Sequence, residues 1–224
     1  MNESFFFIAS LLPELVKGLQ ITLEISLVSF ILGLGLAVIL LPLRIYAPLP
    51  FSTLSRGYVE LFRGTPLLVQ LLLIYFGLPS LGLKLDAYTA CVIAISLNSA
   101  AYQSEILRSA VKSIPEMQFL AAESLGFSTL QTYRHVILPQ TLRTAIPALV
   151  NEMVTLVKES SLASVLGVVE LTRRGEYLVA YTFRALEVYV AVALIYLAAC
   201  TILSQAARGL EKKLRIPGYE KGVV

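Results

Sequence analysis

The chain has 224 residues, 57% of them hydrophobic and only 15% charged, and its mean hydropathy is +0.77. Soluble domains carry nearer a quarter charged residues, so this composition describes an integral membrane protein, and its long apolar runs read as helices, making it all-α. The net charge of +3 is too small and too dispersed for a nucleic-acid-binding face, so no nucleic acid partner is expected.

The start, MNESFFFIAS, has an acidic residue and no basic segment, so it does not read as a cleaved signal peptide. Ser10 to Gln20 is mildly amphipathic and reads as a helix at the membrane edge. Five spans follow, at about 21–43, 58–81, 87–107, 146–169 and 188–207. Gly33 and Gly35 in the first span would allow a neighbouring helix to come close. The second contains Arg63-Gly64-Thr65-Pro66, where proline removes a helix donor. The third and fourth each carry a polar stripe at helical spacing: Asn98, Tyr102 and Glu105, then Glu152, Thr155 and Glu159. Ionisable residues at membrane depth tend to face a bundle interior or a wet cavity, so the stripes suggest one shared polar cavity. The plainer expectation is that Glu105 pairs with Arg108, and that Lys158 or Arg174 neutralises Glu159. The whole chain, 1–224, reads as a single membrane domain.

Positive charge is unevenly shared between the two sides. Arg44, Arg56, Arg108, Lys112, Arg143 and the basic tail from Arg208 to Lys221 fall on one side, and Lys17, Lys84 and Arg173 on the other. The richer side is cytoplasmic by the positive-inside rule, which leaves the N-terminus outside and the C-terminus inside. The long segment at about 108–145 is then cytoplasmic as well.

That segment reads as two short helices. Pro115 opens the first and Gly126 closes it; Ser128 or Thr129 caps the second, which runs through Val136 to a stop at Pro139. A helical pair held outside the bilayer between two spans is a candidate docking element for another protein. Cys91 and Cys200 sit in apolar runs and read as core residues; with one histidine, His135, no metal site is expected. GxxxxGK[ST], HExxH and GxSxG do not occur, so there is no ATP-binding loop and no catalytic set, and the chain is not expected to be an enzyme.

Ala121-Ala122, Gly126 and Val136-Ile137-Leu138-Pro139 resemble the EAA loop of ABC-importer permeases, with Leu120 where the family has Glu and Val136 where it has Ile. Arg63-Gly64-Thr65-Pro66-Leu67-Leu68-Val69-Gln70 resembles the second-span signature of permeases for polar amino acids. Lys158-Glu159-Ser160-Ser161-Leu162, Leu171-Thr172-Arg173 and Leu210-Glu211-Lys212-Lys213-Leu214 are similar to later segments of that family. The resemblance implies a type I ABC importer permease fold of five transmembrane helices in a bacterial inner membrane. It implies a dimer, identical or mixed, set in membrane lipid. Each copy would dock Ala121, Ala122, Gly126, Val136, Leu138 and Pro139 against an ABC ATPase subunit. ATP and Mg would bind that partner, no cofactor would bind this chain, and an extracytoplasmic solute-binding protein would deliver a polar amino acid. By position, Asn98, Glu105, Leu156 and Glu159 become candidate substrate contacts. The competing expectation is a self-sufficient ion-coupled carrier or channel.

Overall fold

The structure, a computed structural model, describes the backbone of residues 2–214 and the side chains of residues 6–209. The basic tail from Arg215 to Lys221 therefore lies outside the described residues. The described chain is helical, in the order α1 (Asn2–Ile45), α2 (Phe51–Gly64), α3 (Leu67–Leu72), α4 (Ala87–Lys112), α5 (Glu116–Ser124), α6 (Thr129–Thr132), α7 (Leu138–Glu159), α8 (Leu171–Thr182) and α9 (Ala185–Leu214). A π-turn and a 3-10 turn extend α3 to Leu81, a π-turn joins α6 to α7, and a 3-10 turn follows α7.

The helices are arranged opposite to those of a soluble bundle. Phe6–Ile45 and Ala185–Gly209, with mean hydropathies of 2.5 and 2.2, are long and apolar enough to cross a bilayer, yet only 39% and 17% buried. They are the outer helices. α4 and α7 carry the polar stripes and fall short of that apolar test, and α4 is the most enclosed, with Ala94, Ile95, Ser99, Ala100, Gln103 and Ser104 all buried. Lipid tails are as apolar as leucine, so small and polar side chains go between helices and leucine faces outward. The expected spans 87–107 and 146–169 coincide with α4 and α7, but α7 begins earlier, at Leu138, and ends at Glu159.

The expected edge helix over 10–20 and the first span are one uninterrupted helix of 44 residues. Nothing between Gln20 and Ile21 breaks helical hydrogen bonding, and Gly18 lies against the Leu171 backbone of α8, where a Cβ would come within 2.8 Å. At about 66 Å the helix is twice the thickness of a hydrocarbon core. Gly33 makes the expected close contact: a Cβ there would lie 3.1 Å from Gln103 Nε2 and 3.2 Å from Ala100 N and Ser96 O of α4. Gly35 does not, having nothing within 4 Å.

The second expected span is broken. Phe51–Gly64 and Leu67–Leu81 meet at 106°. Pro66 lacks the N–H that would bond to the Phe62 carbonyl one turn back. That oxygen instead accepts from Gln70 Nε2 at 2.8 Å and Asn98 Nδ2 at 3.1 Å. Gln70 Nε2 also reaches Thr65 O and Oγ1, and its own Oε1 accepts from Asn98 at 3.0 Å. The Thr-Pro-x-x-x-Gln spacing is thus a built corner, with its freed carbonyl capped from inside the protein.

α4 begins cleanly because Asp86 caps it, accepting from the Thr89 N–H at 3.0 Å and hydroxyl at 2.6 Å. Those two donors hold the Asp86 carboxyl below the usual carboxylate range. At the other end of the fold, Glu170 is fully buried and caps α8 through the Thr172 and Arg173 N–H groups, both at 2.8 Å. It also accepts from Tyr196 OH of α9 at 2.9 Å and from Thr22 of α1 at 3.4 Å.

Two outcomes are expected. Gly33→Leu lowers thermal stability in detergent by about 1–3 kcal/mol, because the new side chain meets α4 backbone, whereas Gly35→Leu stays within about 0.5 kcal/mol of the parent. In a double-mutant cycle, Gln70→Ala and Asn98→Ala each cost about 1–3 kcal/mol and are strongly non-additive, since both donors serve the Phe62 carbonyl. Additive losses in that cycle would show that the two amides act independently.

Candidate functional site

Two regions were singled out by sequence: the loop between the third and fourth spans, and the polar stripes. The loop has a rigid root. Tyr133, Ile137, Leu107, Val111 and Ala145 form one buried cluster with Ala37 and Leu41 of α1, and Phe119 of α5 packs onto it. Ala122 is buried at 3% exposure while Ala121 is exposed, so the alanine pair has one face toward the fold and one away. Gly126 has φ of +80° and follows the last turn of α5; Phe127 N bonds back to Ala122 O at 3.1 Å and Gly126 N to Glu123 O at 2.9 Å. This left-handed helix closure explains why glycine stands there. A Cβ at Gly126 would meet nothing within 4 Å, so the constraint within this chain is the backbone angle.

Ser128 caps α6 as expected, in a reciprocal box with Gln131. The expected proline stop is corrected. Helical structure runs from Thr129 to Glu159, and Pro139 lies inside it. The reason is the π-turn at Tyr133–Ile137, in which Leu138 N bonds to Tyr133 O five residues back. That wide turn relieves the clash a proline ring makes with the carbonyl one turn before it. Val136 and Leu138 are partly buried on this turn and Pro139 is exposed. The loop is therefore joined to α7 as one stiff piece.

A residue that sequence reasoning passed over secures that piece. The Tyr133 hydroxyl donates to Val38 O of α1 at 2.9 Å. Val38 is four residues before Pro42, so its carbonyl has lost its helical donor. Burial pushes the Tyr133 phenol up to about 12. The available signal was Pro42 inside an apolar run, which announces a carbonyl needing a donor without saying which residue supplies it.

The polar stripes do not converge in the chain by itself. Asn98 is buried at 4% exposure and its amide hydrogens bond to Phe62 O and Gln70. Tyr102 lies under the Arg63 guanidinium, 5.3 Å from the ring centroid. Glu105 is paired with Arg108, as the plainer expectation had it, and also with Arg44 of α1 at 2.9 Å. The α4 stripe thus faces α1 and α2. On α7, Glu152 accepts from Ser99 Oγ at 2.8 Å, and Ser99 in turn accepts from Gln103. Leu156 is fully buried in the cluster with Ile25, Leu71 and Ile95. Glu159 is half-buried and makes no hydrogen bond or ion pair among the described residues; of the two expected partners, Lys158 acts on it through its charge alone, and Arg174 is paired with Glu14 at 3.0 Å instead. Among the described residues no group of three or more His, Cys, Asp or Glu side chains is placed to hold a metal.

Comparison with known proteins agrees with this architecture. Residues 29–216 match the family described as binding-protein-dependent transport system inner membrane component. The chain is 40% identical over 216 residues to the arginine transport system permease protein ArtQ of Bacillus subtilis (strain 168), covering 96% of this chain and 99% of that one. It is 40% identical over 207 residues to the glutamine transport system permease protein GlnP of Escherichia coli (strain K12), covering 92% and 94%. A crystal structure of an amino acid ABC transporter with histidines superposes with a TM-score of 0.86 at 34% identity, covering 93% of this chain and 98% of that one. An inward-facing structure of the MetNI methionine ABC transporter shares the fold at a TM-score of 0.78 and 22% identity, covering 92% and 99%. A multi-helix membrane chain with a rooted loop, matched over most of its length, belongs to the binding-protein-dependent transport system inner membrane components, as a permease subunit of the amino-acid ABC importers.

Proposed function

We propose that this permease pairs with a second permease copy and takes up a polar amino acid handed over by an extracytoplasmic solute-binding protein. Separate ABC ATPase subunits, which bind ATP and Mg, drive it from the cytoplasmic side. The N-terminus is outside, and the loop and C-terminus are inside. The observation that carries this reading is the loop over 116–139. Its inner face is built into the α1–α4–α7 core. Its outer face exposes Met117 (70%), Leu125 (77%) and Leu130 (71%). Apolar side chains displayed on a stiffly mounted helical pair suit a partner surface rather than water. Leu120, 48% exposed, offers that partner an apolar contact in place of the family's carboxylate.

Ala121, Ala122, Gly126, Val136, Leu138 and Pro139 then divide the work. Ala121 and Gly126 leave room for the ATPase groove, Ala122 and Val136 seat the pair on the core, and Leu138 and Pro139 carry its movement into α7. For substrate, Glu159 is the candidate contact of first rank, because its carboxylate makes no hydrogen bond or ion pair among the described residues and would take an ammonium or cationic side chain. Asn98, Glu105 and Leu156 would frame the path by holding α2, α1 and α7 in place. Relatives named for arginine and for glutamine uptake fit a polar amino acid and leave its charge open.

Two experiments test this. Purification of the wild-type protein from its native membrane should recover an ATPase subunit, and Gly126→Val should lose it while inserting normally. Recovery of the chain alone, active in ATPase-free liposomes, would favour the self-sufficient carrier. Glu159→Gln should weaken uptake of a cationic amino acid roughly tenfold and of a neutral one little, by analogy with losing one partly buried charge pair. Equal losses on both would remove charge recognition from Glu159.

A further inference from the structure

The end of the bundle that carries the loop also holds a cleft of about 370 Å³, between the C-termini of α1 and α4 and the face of α2. Four cations line it: Arg44, Arg56, Arg108 and Lys112, with one carboxylate, Glu60. Ile45 and Val111 supply its apolar floor. Behind the wall, Glu105 pairs with Arg44 and Arg108 and holds both guanidinium groups in place. Arg56 and Lys112 make no ion pair among the described residues and are exposed. With Glu60 and Glu105 set against four cations, two positive charges remain in excess. Arg44 is held firmly: its side chain is only 10% exposed, and its two terminal nitrogens donate to Ser104 and Glu105. Its charge is therefore fixed in place at the cleft and is not free to move with solvent.

We infer that this cleft binds a phosphate-bearing anion, with Arg56 and Lys112 as the principal contacts and the Arg44–Glu105–Arg108 triad as the fixed wall behind them. Arginine forks and lysine charge suit phosphate oxygens. Two sources carry that chemistry: the headgroup of an anionic phospholipid and free phosphate. The surroundings favour the lipid. Arg44 and Ile45, which line the cleft, close the apolar run Phe6–Ile45, so the cleft lies where that helix leaves the hydrocarbon, at the level of lipid headgroups. Basic pockets between membrane helices hold anionic headgroups in this way. The cleft's principal contacts, Arg56 and Lys112, take no part in the substrate or docking proposals, so changing them tests the site separately from both.

The test uses the full-length protein in detergent, with its thermal midpoint followed during titration. Phosphatidylglycerol should raise the midpoint and phosphatidylcholine should not. The double variant R56Q/K112Q, which alters two exposed unpaired side chains, should melt like the parent in phosphatidylcholine but need roughly tenfold more phosphatidylglycerol for the same shift. Glu60→Gln should need less. If inorganic phosphate at constant ionic strength raises the midpoint of delipidated protein, and R56Q/K112Q abolishes this while phosphatidylglycerol has no effect, free phosphate is the occupant. Equal responses of parent and double variant to phosphatidylglycerol, or no response to either anion, overturns the site.

Discussion

A helix crossing lipid must satisfy each of its own carbonyls, because no water is there to do so. This chain places prolines where that rule is hardest to meet, and its architecture follows from how the debt is settled. Pro42 frees Val38 O, and Tyr133 of the loop answers it. Pro66 frees Phe62 O, and Gln70 and Asn98 answer that. In each case a donor from a segment remote in sequence is drawn to a fixed point on another helix. The first bond ties the loop to α1; the second fixes the 106° corner and ties it to α4. Pro42 and Pro66, which would loosen an isolated helix, thereby become points where helices are joined.

The same logic accounts for the distribution of polarity. α4 is the least lipid-like of the long helices and the most enclosed, with Gly33 of α1 admitting it to backbone contact. Buried Ser99, Gln103 and Ser104 hydrogen-bond across helices to Glu152, Phe30 O and Arg44. Glu170 does comparable work at the far end, binding α1, α8 and α9 through one buried carboxylate. A hydropathy profile finds α1 and α9 easily because they meet lipid. It undervalues α4 and α7 because they meet protein.

Legibility in the sequence followed the range of the forces concerned. The loop was readable because its determinants are local: the Gly126 closure, the Ser128–Gln131 box and the alanine pair lie within a few residues of what they act on. Pro139 misled because the π-turn that absorbs it has no simple sequence mark. The stripe at Asn98, Tyr102 and Glu105 was correctly placed on one helix face, but periodicity names the face and not the neighbour. The neighbours turned out to be the Pro66 corner, Arg63 and Arg44 rather than α7. Nothing local marks Glu170 as a joint, and only the fold brings Thr22, 148 residues away, to meet it.

In the proposed role, the Tyr133 bond is how a pull on the loop would reach α1 as well as α7, so its dependence on Pro42 is the claim to test first. The measurement is a double-mutant cycle in thermal stability between Tyr133→Phe and Pro42→Ala. Restoring an N–H at position 42 lets α1 satisfy Val38 O by itself. Tyr133→Phe should then cost about 1 kcal/mol in the parent and close to nothing beside Pro42→Ala. An equal cost in both backgrounds would contradict the account, since Tyr133 would then be supporting the fold by packing alone.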